Sequence, residues 1–368
     1  MRILISGHNG FLGRHLQRAI MTINHNYTLI FLTKSDFSDS NLNNKVKHND
    51  IIFHFAGVNR DINDNIVFDK NQTINNTLLK VLEKVNFTGK LFFTSSIQEN
   101  SNTLYGKAKK NARVKFLNQS KELGYVFHGL ILPNLFGPFC KPNYNSFIAT
   151  FSHNIINSIS NEIKDDKNIP LLYVNDLVSI LIKSIQSEDE IILKDIITQQ
   201  KVSDVLMLLD IFNDTYLKSG SYPNLDSHFK LSLFNTFMSY INLKQFFPKK
   251  YQIHADDRGS FTELIRTNSG GQSSMSITKR NQIRGNHFHT RKIERFSVIK
   301  GKALIKIREV LSDEILEFKM DGEYPSYIDI PVWNTHNIEN IGNDELITSF
   351  WINEHYEDKA SDTYIENV

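Results

Sequence analysis

Through the first half of the chain, short apolar runs alternate with stretches whose apolar residues recur at helical spacing. The runs Ile3–Ser6, Thr28–Leu32, Ile51–Ala56, Leu91–Ser95 and Val126–Leu132 read as strands. Between them, Leu12, Leu16, Ala19 and Ile20 form one helical face. Ile74, Leu78, Val81 and Leu82 form a second, and Ala108, Ala112 and Phe116 a third. The strands are continuously apolar, which predicts burial on both faces. This alternation predicts a Rossmann-type α/β fold, a doubly wound parallel sheet with helices on both sides. From about 147 to 246 the pattern is mostly helical, with short strands such as Leu171–Val174.

The pattern changes after Phe246-Phe247-Pro248-Lys249-Lys250. Short strand-like runs follow, separated by Gly, Asn or Asp: Gly259–Ile265, Ser273–Thr278, Phe296–Ile299, Ala303–Arg308, Ile315–Lys319, Tyr327–Ile330 and Leu346–Ile352. Closely spaced strands with turn signals predict an all-β sandwich or barrel. The expected division is therefore 1–246, with its substrate-binding part at about 133–246, and 247–368.

Length agrees, since 368 residues suggest two domains at roughly 150 residues each. Lys and Arg number 42 and Asp and Glu 40, a formal net charge of +2. That balance lacks the basic face a nucleic-acid partner requires. One cysteine, Cys140, excludes an intrachain disulfide or a CxxC site. No leader and no membrane span are expected, because the first apolar run is a short strand and no long uncharged apolar stretch follows. The expected compartment is the reducing cytoplasm. Any metal must then come from the 13 histidines and the carboxylates.

Gly7-His8-Asn9-Gly10-Phe11-Leu12-Gly13 follows the first strand and opens a helix. Glycines at this spacing allow a tight turn, close backbone approach to a pyrophosphate and close helix packing. In an alternating βα context the segment predicts dinucleotide binding. The second strand ends Thr33-Lys34. Lys34 suits a 2′-phosphate, whereas Asp36 suits the ribose hydroxyls of NAD; the reading favours NADPH over NAD.

Tyr105 and Lys109 stand four apart on one predicted helical face. An ammonium near a phenol lowers its pKa, so the phenol can exchange a proton at neutral pH. Thr94-Ser95-Ser96 ends a strand just upstream and offers a hydroxyl to the same carbonyl oxygen. The order glycine loop, Ser, YxxxK resembles the nucleotide-sugar branch of the extended short-chain dehydrogenase/reductase family. His54-Phe55-Ala56-Gly57, Pro133-Asn134-Leu135-Phe136-Gly137-Pro138 and Tyr173-Val174-Asn175-Asp176 resemble further segments of it. The resemblance covers about 1–246. It implies Ser96, Tyr105 and Lys109 as the catalytic set, with Ser95 as the alternative hydroxyl. It implies cofactor contacts from Gly7, Asn9, Gly10, Phe11, Leu12, Gly13, Lys34, Phe55, Ala56, Gly57, Tyr105 and Lys109. Asn134 and Lys141 are its substrate-loop candidates.

His287-Phe-His289-(x4)-Glu294-(x6)-Gly301 is the richest spacing in the last third. Two histidines at i and i+2 on a strand point to one side, and a Glu on the next strand completes a face. His336, within Pro331-Val-Trp333-Asn-Thr-His336, supplies a fourth ligand. Imidazoles plus a carboxylate suit Zn²⁺, Fe or Mn, zinc first among them. The two segments resemble the motifs of the cupin family, a double-stranded β-helix or jelly roll. One departure is Trp333, where the family's second motif has Gly. Asp257–Glu263 and Arg284-Gly285-Asn286-His287 resemble the sugar-nucleotide 3,5-epimerase branch, in which the residue at the position of His287 is the base. A ligated imidazole nitrogen cannot also be a free base, and the reading favours metal binding.

The whole chain resembles one bifunctional family, the capsular-polysaccharide or O-antigen enzyme of the UDP-N-acetyl-L-fucosamine route. The resemblance implies a UDP-linked 4-keto-6-deoxy amino sugar as substrate. C3 would be epimerised by the cupin and C4 then reduced to UDP-2-acetamido-2,6-dideoxy-L-talose. It also implies a homodimer. A second reading keeps the reductase and makes the cupin a metal-stabilised dimerisation module. A third, a non-enzymatic NADP sensor, is opposed by Tyr105 and Lys109, which a sensor does not need.

Overall fold

The computed structural model describes residues 1–23, 27–38 and 41–368. Two compact units emerge: Met1–Leu135 with Ile169–Gln199, and Phe136–Asn168 with Gln200–Val368. This division by packing is a different cut from the change of sequence pattern near 246.

In the first unit, strands Arg2–Ser6, Thr28–Leu32, Ile51–His54, Lys90–Ser96 and Val126–Leu132 form one parallel sheet. Thr28–Leu32 lies outermost, then Arg2–Ser6, Ile51–His54, Lys90–Ser96 and Val126–Leu132. The order reverses between the first strand and Ile51–His54, and that reversal is where an open α/β sheet binds its ligand. Helices Phe11–Met21, Asp64–Lys84 and Leu104–Leu123 carry the three predicted faces. Leu16, Ala19 and Ile20 pack on one side of the sheet with Ile3 and Ile5. Leu78, Val81, Leu82, Ala112 and Phe116 pack on the other with Leu4 and Ile52. The inner strands are buried as expected. Thr28–Leu32 and Val126–Leu132 are not fully so, because they are the edges of the sheet. Among the described residues, no helix is long and apolar enough to cross a membrane.

In the second unit, two five-stranded antiparallel sheets form the β part. One runs Gln272–Thr278, Leu346–Ile352, Glu294–Lys300, Ser326–Ile330, Lys249–Lys250. The other runs Ile315–Asp321, Lys302–Glu309, Asn334–Asn340, Ile283–Phe288, Tyr364–Ile365. The core between them is built from Phe296, Val298, Ile305, Ile307, Phe318, Ile328 and Ile338. This is the cupin barrel.

One buried ion pair ties helical and β segments of this unit together. Arg295 donates to both oxygens of Asp329 at 2.8 and 2.9 Å, and Tyr216 Oη–H donates to Asp329 at 2.7 Å. The guanidinium lies 3.7 Å from the Tyr327 ring centre. Removing one partner of such a pair strands a buried charge. Asp329→Ala is expected to destabilise the protein by about 3–5 kcal/mol, read as a lower melting temperature or denaturant midpoint. An unchanged midpoint would contradict this.

Candidate functional sites in the two units

The glycine loop sits at the switch point of the parallel sheet. Gly7 has φ +70, and a Cβ there would lie 2.8 Å from Ala56 N. At Gly13 a Cβ would lie 2.3 Å from Gly7 O. Glycine is therefore required at both: the first for the turn against the neighbouring strand end, the second for the helix to start against the loop. Gly10 caps helix Phe11–Met21, whose N-terminus opens onto this turn. Gly7, Asn9 and Gly10 thus lie in the turn, and Phe11, Leu12 and Gly13 in the first turn of the helix it opens.

The facing segment Phe55–Gly57 is held by a buried relay that sequence reasoning missed. Ala56 N–H donates to Ser6 Oγ at 3.1 Å, and Ser6 Oγ–H donates to His54 Nδ1 at 2.7 Å. His54 Nε2–H donates to Asn75 Oδ1 at 3.0 Å, and Asn75 donates to Asn71 O at 2.7 Å. Asn71 then pairs with both backbone groups of Val58. Burial pushes the His54 imidazole down to about 3, so it stays neutral and each bond keeps its direction. The signal was present as polar residues on an otherwise apolar helical face, Asn71 and Asn75 beside Leu78.

Lys109 is buried, and its Nζ donates to Thr94 O at 2.9 Å. The ammonium is 5.9 Å from the Tyr105 ring centre, and a Cβ on Gly57 would lie 3.3 Å from it. Tyr105 stands in the first turn of helix Leu104–Leu123. Burial pushes Lys109 down to about 8. The two candidate hydroxyls are now distinguishable. Ser95 is buried and donates to Glu99 at 2.5 Å, and Glu99 is held by Arg113 at 2.7 and 2.9 Å. Burial raises the Glu99 carboxyl, but Arg113 and Ser95 outweigh it and hold it below its ordinary value. Ser96 is partly exposed at the strand end and accepts Gln98 N–H at 3.2 Å.

Asp36 is turned inward. Its carboxylate accepts Thr33 N–H and Oγ–H at 2.7 and 2.8 Å and Lys45 Nζ at 2.8 Å. Burial raises this carboxyl, yet Lys45 and Thr33 outweigh it and lower it overall. All three donors meet Oδ2 of a buried side chain, while Lys34 is exposed. Asn134 and Lys141 are both exposed and fall in different compact units, Lys141 with its Nζ 5.7 Å from the Tyr144 ring centre.

In the barrel, His287, His289, Glu294 and His336 converge, with their ligand atoms all within 4.8 Å of one another. Glu294 Oε2 lies 3.9, 3.2 and 2.8 Å from the Nε2 atoms of His287, His289 and His336. His289 Nδ1–H donates to Asp362 O at 2.5 Å and His336 Nδ1–H to Asn334 O at 3.1 Å. A carbonyl only accepts, so both rings carry their proton on Nδ1. In the neutral rings, bare Nε2 atoms then face a carboxylate oxygen, an arrangement that calls for a cation between them. Glu294 Oε2 and the Nε2 atoms of His289 and His336 are buried with no hydrogen-bond partner, as ligand atoms awaiting a cation would be. Three nitrogens and one oxygen fit a divalent transition metal.

A cavity of about 370 Å³ adjoins this cluster, lined by Ser276, Arg284, Gly285, His287, Glu294, Phe296, Ile338, Thr348 and Phe350. Gly285 has φ +101, and a Cβ there would lie 2.8 Å from His336 O. Trp333, the departure from the family pattern, keeps a left-handed backbone at φ 62. That conformation costs a large residue about 1–3 kcal/mol. Burial of the indole against Phe288, ring centres 5.7 Å apart, offsets it, and Trp333 N–H anchors His289 O at 2.8 Å. The second motif therefore makes its turn without glycine.

Fold and sites define a Rossmann-type domain of the short-chain dehydrogenase/reductase kind followed by a cupin with a three-histidine, one-glutamate cluster. The profile of the NAD dependent epimerase/dehydratase family matches residues 3–197, and that of the polysaccharide biosynthesis C-terminal domain matches 254–364. A UDP-2-acetamido-2,6-beta-L-arabino-hexul-4-ose reductase of Pseudomonas aeruginosa is 31% identical, covering 100% of this chain and 99% of the relative. The chain belongs to the NAD dependent epimerase/dehydratase family and, along its whole length, to the family of this reductase. The crystal structure of the capsular polysaccharide assembling protein CapF from Staphylococcus aureus matches with TM-score 0.62 and 30% identity, each chain fully covered. The UDP-N-acetylglucosamine 4-epimerase of Methanobrevibacter ruminantium shares the fold, with TM-score 0.52 and 18% identity over 65% of this chain and 97% of that one.

Proposed function

We propose that the protein is a UDP-sugar 4-ketoreductase that also epimerises C3 of its substrate, a UDP-2-acetamido-2,6-dideoxy-4-hexulose. The functional boundary lies near 246. The observation that carries the reading is the buried Lys109 ammonium beside Tyr105 and Gly57, at the end of a glycine-loop sheet. A bound nicotinamide cofactor supplies the hydride to C4. Tyr105 gives the proton to the C4 oxygen, Lys109 favours the phenolate left behind, and Ser96 orients the carbonyl. The proposed product is UDP-2-acetamido-2,6-dideoxy-L-talose.

Epimerisation precedes reduction, because the C3 proton is acidic only while C4 is a ketone. The barrel cavity offers Arg284 for an anionic group and Phe296, Ile338 and Phe350 for apolar packing. His287, His289, Glu294 and His336 would hold a divalent cation, zinc first, and a cation there would supply Lewis-acid stabilisation to a ketone oxygen. Edge strand Gln272–Thr278 exposes Met275 and Ile277, and covering them with a second copy supports a homodimer.

The test is to supply a 4-keto-6-deoxy UDP-sugar with NADPH and follow cofactor oxidation. Reduction of C4 is expected; a folded protein that oxidises no cofactor would overturn the reading. Lys109 adds a pH signature. Its ammonium loses its proton as pH rises through about 8, so kcat/KM for reduction should fall above that pH. A flat profile up to pH 10 would contradict the assignment.

Lys34 and the occupied Asp36 support NADPH. A hydrogen bond to a charged phosphate is worth about 1.5–3 kcal/mol. Lys34→Ala should therefore raise KM for NADPH about tenfold or more and leave KM for NADH unchanged. Equal effects on both cofactors would refute the role of Lys34.

A further inference from the structure

The end of the chain bears directly on the ligand cluster. Strand Tyr364–Ile365 pairs with Ile283–Phe288, setting Ile365 opposite His287 and Tyr364 opposite Phe288. Just before it, Asp362 adopts a left-handed backbone at φ 47, with its side chain fully buried. Its carboxylate accepts the backbone N–H groups of Thr290, Arg291 and Lys292 at 3.0–3.2 Å, and Thr290 Oγ–H at 2.6 Å. Its main-chain oxygen accepts His289 Nδ1–H at 2.5 Å. Neighbouring carbonyls are engaged too: Ser361 O accepts Lys292 Nζ, and Ala360 O accepts Arg291 at 2.6 Å. One residue therefore shapes the turn that leaves His289 and also fixes the proton on the His289 ring.

We propose that Asp362 is a positioning residue for the metal ligands, and that the metal and segment 360–366 stabilise each other. The proposal rests on the metal reading given above. With Nδ1 tied to Asp362 O, the His289 ring keeps one tautomer and one orientation, and Nε2 presents its lone pair beside Glu294. The clasp of the carboxylate by the 290–292 amides holds that carbonyl against the His289 ring, within a segment also tied by Lys292 and Arg291 to the Ser361 and Ala360 carbonyls. Left-handed backbone is tolerable for Asp or Asn and poor for most other residues. Losing an outer partner of a metal-bound histidine weakens metal affinity about 10–100-fold. Linkage is reciprocal: if an ordered segment raises metal affinity, the metal raises the order of the segment by the same free energy.

The full-length chain, stripped with a chelator, is titrated with Zn²⁺ against a competing indicator. Amide hydrogen exchange of 360–366 is measured with and without Zn²⁺. Asp362→Ala should weaken Zn²⁺ binding 10–100-fold, and Asp362→Asn, which keeps an acceptor oxygen and the backbone preference, should recover most of it. In the unmodified chain, Zn²⁺ should slow exchange in 360–366. Wild-type Zn²⁺ affinity in folded Asp362→Ala would overturn the proposal. If that variant fails to fold, the exchange measurement decides, and exchange in 360–366 unaffected by Zn²⁺ overturns it equally. A wild-type chain that takes up no Zn²⁺ would instead overturn the metal reading, and this proposal with it.

Discussion

Tyr105→Phe is expected to lower NADPH-dependent reduction of the C4 ketone by about 10²–10⁴-fold, the range set by loss of a positioned proton donor. The ring stays and only the hydroxyl goes, so the helix face and the nearby Lys109 ammonium are kept. Folding and cofactor binding should be close to unchanged. Deuterium exchange at C3 should also persist, because the proposed epimerisation uses the barrel. The pair of readouts is the useful part: reduction lost with exchange retained assigns Tyr105 to one step only. If the variant reduces the ketone at the unmodified rate, another group protonates the C4 oxygen.

Glu294→Ala should have the second large effect. Glu294 Oε2 lies within 3.9 Å of all three imidazole Nε2 atoms, and it supplies the negative charge of the set. Metal affinity should fall at least about 100-fold, the upper end of what loss of a mere outer partner costs. C3 exchange should fall with it, while Tyr105-dependent reduction of an already epimerised ketone survives. At a metal concentration 100 times Kd, the unmodified chain gains about 2.7 kcal/mol of stability from binding. The variant keeps at most about 0.4 kcal/mol of that gain, so its melting temperature should respond far less to added Zn²⁺. A variant with the metal content of the unmodified protein would contradict the ligand assignment.

Much of this was legible in the sequence, for physical reasons that differ by region. The inner strands of the parallel sheet are apolar on both faces, so runs such as Ile3–Ser6 and Leu91–Ser95 declare themselves. Thr28–Leu32 looks the same in sequence, yet it is half-exposed, because composition does not reveal which strand becomes an edge. Strand Asn334–Asn340 gave no apolar signal, since its buried residues include the polar Asn334, Thr335 and His336 that serve the site. His287, His289, Glu294 and His336 could be grouped from spacing, but not Asp362, whose part depends on a main-chain oxygen 73 residues from His289. Asp36 shows the same limit. The sequence places a carboxylate near the cofactor strand, and only the fold shows it committed to Thr33 and Lys45.

Two chemistries are proposed to follow one another on one substrate, carbon-acid exchange at C3 and then hydride transfer at C4. The most direct measurement is mass and NMR analysis of products formed from UDP-2-acetamido-2,6-dideoxy-4-hexulose in deuterated water, with and without NADPH. Without cofactor, deuterium at C3 and an intact C4 ketone are expected. With NADPH, deuterium at C3 together with a reduced C4 is expected. Reduction at C4 with no deuterium at C3 would overturn the two-step order and leave the barrel without a part in the reaction.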